Sequence, residues 1–94
     1  MAWGDLKRRI LRPTLDELSD MDIEFLRAML LDERASSAAD IAERLGRTTS
    51  FVATYRKRLL EQGVIEMQGR SRFRIALPGV RAYLPEYLEA DAIE

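Results

Sequence analysis

The chain has 94 residues, of which 47 % are hydrophobic and 33 % charged, and its formal net charge is −1. It has no cysteine and no histidine, which excludes a disulfide framework, a thiolate metal site and an imidazole acting as general base. No apolar run approaches the ~20 residues that span a bilayer, and the start lacks the uninterrupted apolar stretch of a signal peptide, so one small cytoplasmic domain is expected.

Residues 1–13, MAWGDLKRRILRP, read as a tail or short helix, with Leu6, Ile10 and Leu11 at helical spacing. Lys7, Arg8 and Arg9 lie between them and Arg12 follows. Pro13 is expected to interrupt the run, because its ring and missing N–H disfavour a helix interior. The segment is either a docking or linker piece or a basic nucleic-acid contact. The next stretch, SDMDIEFLRAMLLDE, is a helix capped by Ser19, with Asp22 in capping-box position. Met21, Phe25 and Met29 form a stripe broadened by Ile23, Leu26 and Leu30, which marks a core face.

SSAADIAERLG is a second core helix of about two turns, capped by Ser37 and stopped by Gly46. A third begins at Thr48, Thr49 or Ser50 and runs to about Gln62, with Gly63 as its stop. Val64, Ile65 and Met67 are strand-like, and residues 68–71 make a turn. From Arg72 to Leu77 polar and apolar residues alternate with the period of a half-buried strand. Pro78 is expected to end that ladder. The last stretch, GVRAYLPEYLEADAIE, reads as one or two short helices broken near Pro85, with an acidic, frayed end.

Helix, short helix, glycine turn, longer helix and hairpin make a helix-turn-helix followed by a wing. The expected fold is therefore α+β, mainly α: a three-helix core plus a β-hairpin wing, with additional helical segments at both ends. Ala42 lets the helices approach, Gly46 turns the chain, and Val52, Ile41, Leu45 and Leu59 complete the seam. The partition that follows is 1–13 as basic tail or linker helix, 14–88 as the winged domain and 89–94 as acidic tail.

Charge is distributed unevenly. Between Arg47 and Arg74 stand seven basic and two acidic residues, a balance of +5 that leaves −6 for the remainder. At about 100° per residue, Val52, Tyr55 and Leu59 share the inner side of the third core helix. Ser50, Ala53, Thr54, Lys57 and Glu61 lie opposite, with Arg58 at the edge. Small hydrogen-bonding residues followed by cations suit a helix entering a major groove. The wing turn adds Arg70 and Arg72, and Arg74 follows on the same strand face; such a tip suits a minor groove or a phosphate backbone. The candidate DNA-binding residues are thus Arg47, Thr48, Thr49, Ser50, Thr54, Lys57, Arg58, Arg70, Arg72 and Arg74. Asn is absent and Gln62 is near the helix end, so phosphate contacts are expected to outweigh base readout. The alternative is a solvated helix surface on a helical hairpin with a β appendage and no nucleic-acid role.

Catalysis finds no support: there is no phosphate-binding G-x-x-x-x-G-K-[ST] loop and no nucleophile with a histidine base. No catalytic residue, metal ligand or cofactor is expected, and the chain is not read as an enzyme.

The runs LDELSDMDIEFLRAML and ADIAERLGRTTSFVATYRKRLLEQGVIEMQGRSRFRIALPGVRAYL resemble the C-terminal winged-helix domain of bacterial and archaeal AAA-type ATPases of the origin-recognition kind. The resemblance rests on the Leu-Ser-x-x-Asp lead-in at residues 18–22, the Tyr-Arg-x-Arg-Leu segment from Tyr55 to Leu59, the Gly-Val-Ile that follows, the Leu-Pro step closing the wing, and Tyr-Leu near the end. It covers about residues 14–88. It implies an ATP-binding domain upstream of residue 1, joined through residues 1–13, and a DNA-facing surface on the third helix and the wing. None of the ATPase motifs has a counterpart here, so no ATP-binding residue is implied. The expected partners are double-stranded DNA, an upstream ATPase domain, and a second copy of the chain if it dimerises; no membrane is expected. Two other readings stand beside this one. One is a free-standing transcriptional regulator with its dimerisation helix at a chain end. The other is a protein-docking winged helix using Trp3, Leu6, Ile10, Tyr83 and Tyr87.

Overall fold

The computed structural model describes residues 2–77 and 79–93, with side chains described over residues 9–77 and 79–90. Eight elements follow in chain order: α1 (Ala2–Asp16), α2 (Asp20–Met29), β1 (Ser36–Ser37), α3 (Ala38–Leu45), α4 (Thr49–Glu61), β2 (Ile65–Gln68), β3 (Arg72–Ile75) and α5 (Val80–Ile93). Helices α2, α3 and α4 are the three core helices, and β2 with β3 is the wing. The chain is a winged helix-turn-helix with a helix added at each end.

Side-chain caps fix where the core helices begin. The Ser19 hydroxyl accepts from the Asp22 N–H at 3.1 Å, and the Asp22 carboxylate accepts from the Ser19 N–H at 3.1 Å, which is a full capping box. Ser37 caps α3 through the Asp40 N–H, and Thr48 caps α4 through the Phe51 N–H. Glycines fix two of the ends. Gly46 adopts φ 65° and Gly63 φ 74°, a left-handed conformation that side-chain-bearing residues rarely adopt. After each, the chain folds back on the helix: the Arg47 N–H reaches the Ala42 carbonyl at 2.9 Å and the Val64 N–H reaches the Leu59 carbonyl at 3.0 Å. The second turn aims the chain from α4 straight into β2.

Phe25, Leu26 and Met29 of α2, Ile41 of α3, Val52 and Leu59 of α4, and Ile65 and Phe73 of the hairpin bury together. Phe25 and Phe73 sit with ring centroids 5.7 Å apart, so the middle of β3 is tied directly to α2. In the hairpin Ile65 faces Ile75, Met67 faces Phe73 and Gln68 faces Arg72.

Three features differ from the expectation. Helix α1 runs through Pro13 to Asp16, and α5 runs unbroken through Pro85 to Ile93. Both prolines are exposed, while their neighbours Leu11 and Leu15, and Tyr83 and Leu84, are buried. Packing of that buried side outweighs the ~3 kcal/mol a helix-interior proline costs. The third difference is β1, which lines up on the free side of β3 and makes a three-stranded sheet in the order β1-β3-β2. Ser36 pairs with Phe73 and Ser37 with Arg72. Two residues carry no period, so the strand exists only because β3 is there to pair with. Pro78, expected to end the ladder, lies outside the described residues, as do the side chains of Trp3, Leu6, Lys7 and Arg8.

Candidate nucleic-acid interface

Helix α4 is amphipathic in the sense its sequence implies. Val52 and Leu59 are buried, Tyr55, Arg56 and Leu60 are half-buried, and Ser50, Thr54, Lys57 and Glu61 are exposed. Arg47, Thr48 and Thr49 are exposed at its leading end. Some of this polar capacity is used internally: Thr48 accepts from Phe51, and the Thr54 hydroxyl donates to the Ser50 carbonyl at 3.2 Å.

The wing places Arg70 at its turn and Arg72 and Arg74 on the outward side of β3, with Phe73 inward between them. All ten candidate residues are therefore exposed. They fall into two groups, one on α4 and its leading turn and one on the hairpin. The tight turn at Gly63 joins the two elements, and α4 packs against β2.

The cations differ in what they are doing. Arg58 leaves the outer face and reaches α2, with Nη2 3.0 Å from Asp22 Oδ2 and Nε 3.4 Å from Oδ1. The Asp22 side chain is 0 % exposed and that of Arg58 48 %. Arg74 Nε donates to Glu66 Oε1 across the hairpin at 2.6 Å. Arg47 lies over the Phe51 ring, 4.9 Å from its centroid. Among the described residues, Lys57, Arg70 and Arg72 are exposed and hold no ion-pair or hydrogen-bond partner. Lys57 and Arg70 are free to meet an incoming anion without breaking an internal contact, while Arg72 lies within the electrostatic reach of the Asp32 carboxylate.

The Arg58–Asp22 pair was not readable from spacing, since 36 positions separate its members. Burial alone pushes the Asp22 carboxyl up. Hydrogen bonds from Arg58 and from Ser19 outweigh that, and its pKa lies below the ordinary carboxylate value. A second such network holds α3 in place. Arg44 grips Asp32 with two nitrogens, at 2.6 and 3.0 Å, and also donates to the Ala28 carbonyl, while Ser36 donates to Asp32 at 2.8 Å. The Arg44 guanidinium holds the Asp32 carboxyl low, against its partial burial.

For Asp22 the sign follows directly. Its folded-state pKa is depressed, so its contribution is complete above the unfolded value of about 3.9 and is lost as pH falls through the folded value. Asp22→Asn should therefore lower the unfolding free energy by about 1–3 kcal/mol at neutral pH. Urea melts from pH 7 down to pH 2 should show that difference constant above about pH 5 and shrinking below about pH 4. A difference that does not change with pH would remove the ion pair from the account.

Residues 8–84 match the family described as "Domain of unknown function (DUF8462)". The chain belongs to that family. No curated protein matches it. Among solved structures it resembles BpsR of Bordetella bronchiseptica, with a TM-score of 0.62 and 21 % sequence identity, over 96 % of this chain and 74 % of that one. That structure was described for the regulation of BpsR's DNA binding by 6-hydroxynicotinic acid. At this identity the likeness establishes a shared fold. Among the described residues no helix is long and apolar enough to cross a membrane, and no three acidic side chains gather where a metal ion could sit.

Proposed function

We propose that the chain is a DNA-binding winged-helix domain that presents the outer face of α4 and the wing to a duplex. The observation that carries this reading is the placement of exposed cations on two joined elements, Lys57 on the helix and Arg70 and Arg72 on the wing, with Lys57 and Arg70 holding no internal partner. Lys57 shares its face with Ser50 and Thr54, which are small enough for close approach to a groove. A fold shared with a protein whose DNA binding is regulated supports the reading. Of the other candidates, Arg47 joins the phosphate contacts, and Arg58 and Arg74 serve chiefly to hold α4 and the hairpin in place.

The finer proposal, that the domain is the C-terminal module of an AAA-type ATPase, rests on the resemblance over residues 14–88. The partition at residues 13 and 88 marks the extent of that resemblance and cuts through α1 and α5, which run across those positions. A free-standing regulator is favoured by one observation: α1 and α5 pack on each other, with the Tyr87 hydroxyl donating to Asp16 at 2.8 Å, and Ile10 on α1 is 58 % exposed. That paired end is where a second copy would dock. The protein-docking reading loses two of its anchors, because Tyr83 is buried and Tyr87 is half-buried against α1.

The test is a titration of the ¹⁵N-labelled domain with a random-sequence duplex at low salt. Amide shifts should move at residues 47–57 and 69–72 and stay still along α1 and α5. Shifts confined to α1 and α5, or none at all, would contradict the reading.

A further inference from the structure

Four side chains form a continuous stack along one flank of α4. The Arg47 guanidinium lies 4.9 Å from the Phe51 centroid, the Phe51 and Tyr55 rings are 4.8 Å apart, and the Arg58 guanidinium lies 5.4 Å from the Tyr55 centroid. Phe51, Tyr55 and Arg58, spaced four and three residues apart, share one side of α4, and Arg47, just ahead of the Thr48 cap, lays its guanidinium over the Phe51 ring. The rear of the stack is anchored, because Arg58 is held by the buried carboxylate of Asp22 on α2. The front is not anchored by any ion pair: among the described residues Arg47 has only the ring beneath it.

We propose that Phe51 is a positioning residue for DNA: its ring, braced by Tyr55 and Arg58, holds the Arg47 guanidinium at the leading end of α4, ready for a backbone phosphate. The inference rests on the DNA-binding reading and adds a residue that the charge pattern does not reveal. A long arginine side chain on an exposed turn loses rotamer freedom when it grips a phosphate. A guanidinium already lying on an aromatic face has given up part of that freedom beforehand, and it keeps its N–H groups free at the rim for a phosphate oxygen. Tyr55 and Arg58 keep the Phe51 ring from turning away. Because the contact is present before DNA arrives, its strength sets the most that this preorganisation adds to binding, a factor of about two to five.

The experiment is a double-mutant cycle on a fluorescein-labelled random-sequence duplex, read by anisotropy, with melting curves for every variant. Arg47→Ala should weaken binding and lower the salt slope by about 0.9, the loss of one phosphate contact. Phe51→Leu should weaken binding about twofold to fivefold, and Phe51→Tyr should restore it. In the Arg47→Ala background Phe51→Leu should do nothing more. An equal loss from Phe51→Leu with and without Arg47 would overturn the proposal, as would a Phe51→Leu domain that binds like wild type. Absence of binding by the wild type is a different failure: it sinks the DNA-binding reading, and the phosphate role of Arg47 with it. The Arg47 side-chain N–H resonance then still tells whether the stack exists, since ring-current shielding by Phe51 disappears in Phe51→Leu.

Discussion

Phe73→Ala should destabilise the domain by about 3–5 kcal/mol. Phe73 is 0 % exposed, sits in the central strand of the sheet and lies against Phe25 of α2 with centroids 5.7 Å apart. Truncation removes the aromatic area and leaves a cavity between β3 and α2 that the flanking strands cannot collapse into. A domain of this size has a total stability of roughly 5–14 kcal/mol, so the loss is a large part of the whole. In a thermal melt it should lower Tm by roughly 15–30 °C. Phe73→Leu fills most of the volume and should cost less than half as much. A Phe73→Ala domain melting within a few degrees of wild type would mean that β3 is not fastened to the helices through this ring.

The second large effect concerns binding. Lys57→Glu combined with Arg70→Glu should weaken affinity for duplex DNA about 50-fold to 100-fold near 0.1 M salt. Each lost phosphate contact lowers the salt slope by about 0.9, which is close to a tenfold loss at that concentration. Two contacts multiply, and the introduced carboxylates add repulsion. Neither cation holds an internal partner and both are exposed, so the melting temperature should stay near that of wild type. Arg9→Glu, on the exposed side of α1, changes the net charge by the same amount as either single variant and should leave affinity within about twofold. If Arg9→Glu weakens binding as much as Lys57→Glu does, the interface is elsewhere or is no defined surface at all.

What the amino-acid order reveals here is local. Ser19 and Ser37 announce helix starts because a cap acts over three residues, the third start is legible only as one of Thr48, Thr49 and Ser50, and Gly46 and Gly63 announce ends because their role is a backbone angle. The alternation from Arg72 to Ile75 fixes which side of β3 is wet. Contacts between distant residues are illegible by the same logic. Arg58 is positioned by periodicity at the edge of the outer face, yet a carboxylate on another helix draws it inward. Arg74 likewise meets Glu66 only once the hairpin register is set. Pro13 and Pro85 mislead in the opposite direction, since their local cost is real but smaller than the packing of the helices that contain them. Phe51 is a middle case. Its spacing from Arg47 and Tyr55 is visible in the chain, but a half-buried aromatic at the rim of a core face does not announce a stack until the guanidinium is seen lying on it.

On the proposed reading α4 and the wing form one phosphate-gripping surface. Its most direct measurement is the affinity of the wild-type domain for a random-sequence duplex at four or five salt concentrations. Contacts from Arg47, Lys57, Arg70 and Arg72 should give a plot of log affinity against log salt with a slope of about −3.5. No binding at the lowest salt, or binding whose slope is near zero, would contradict the claim.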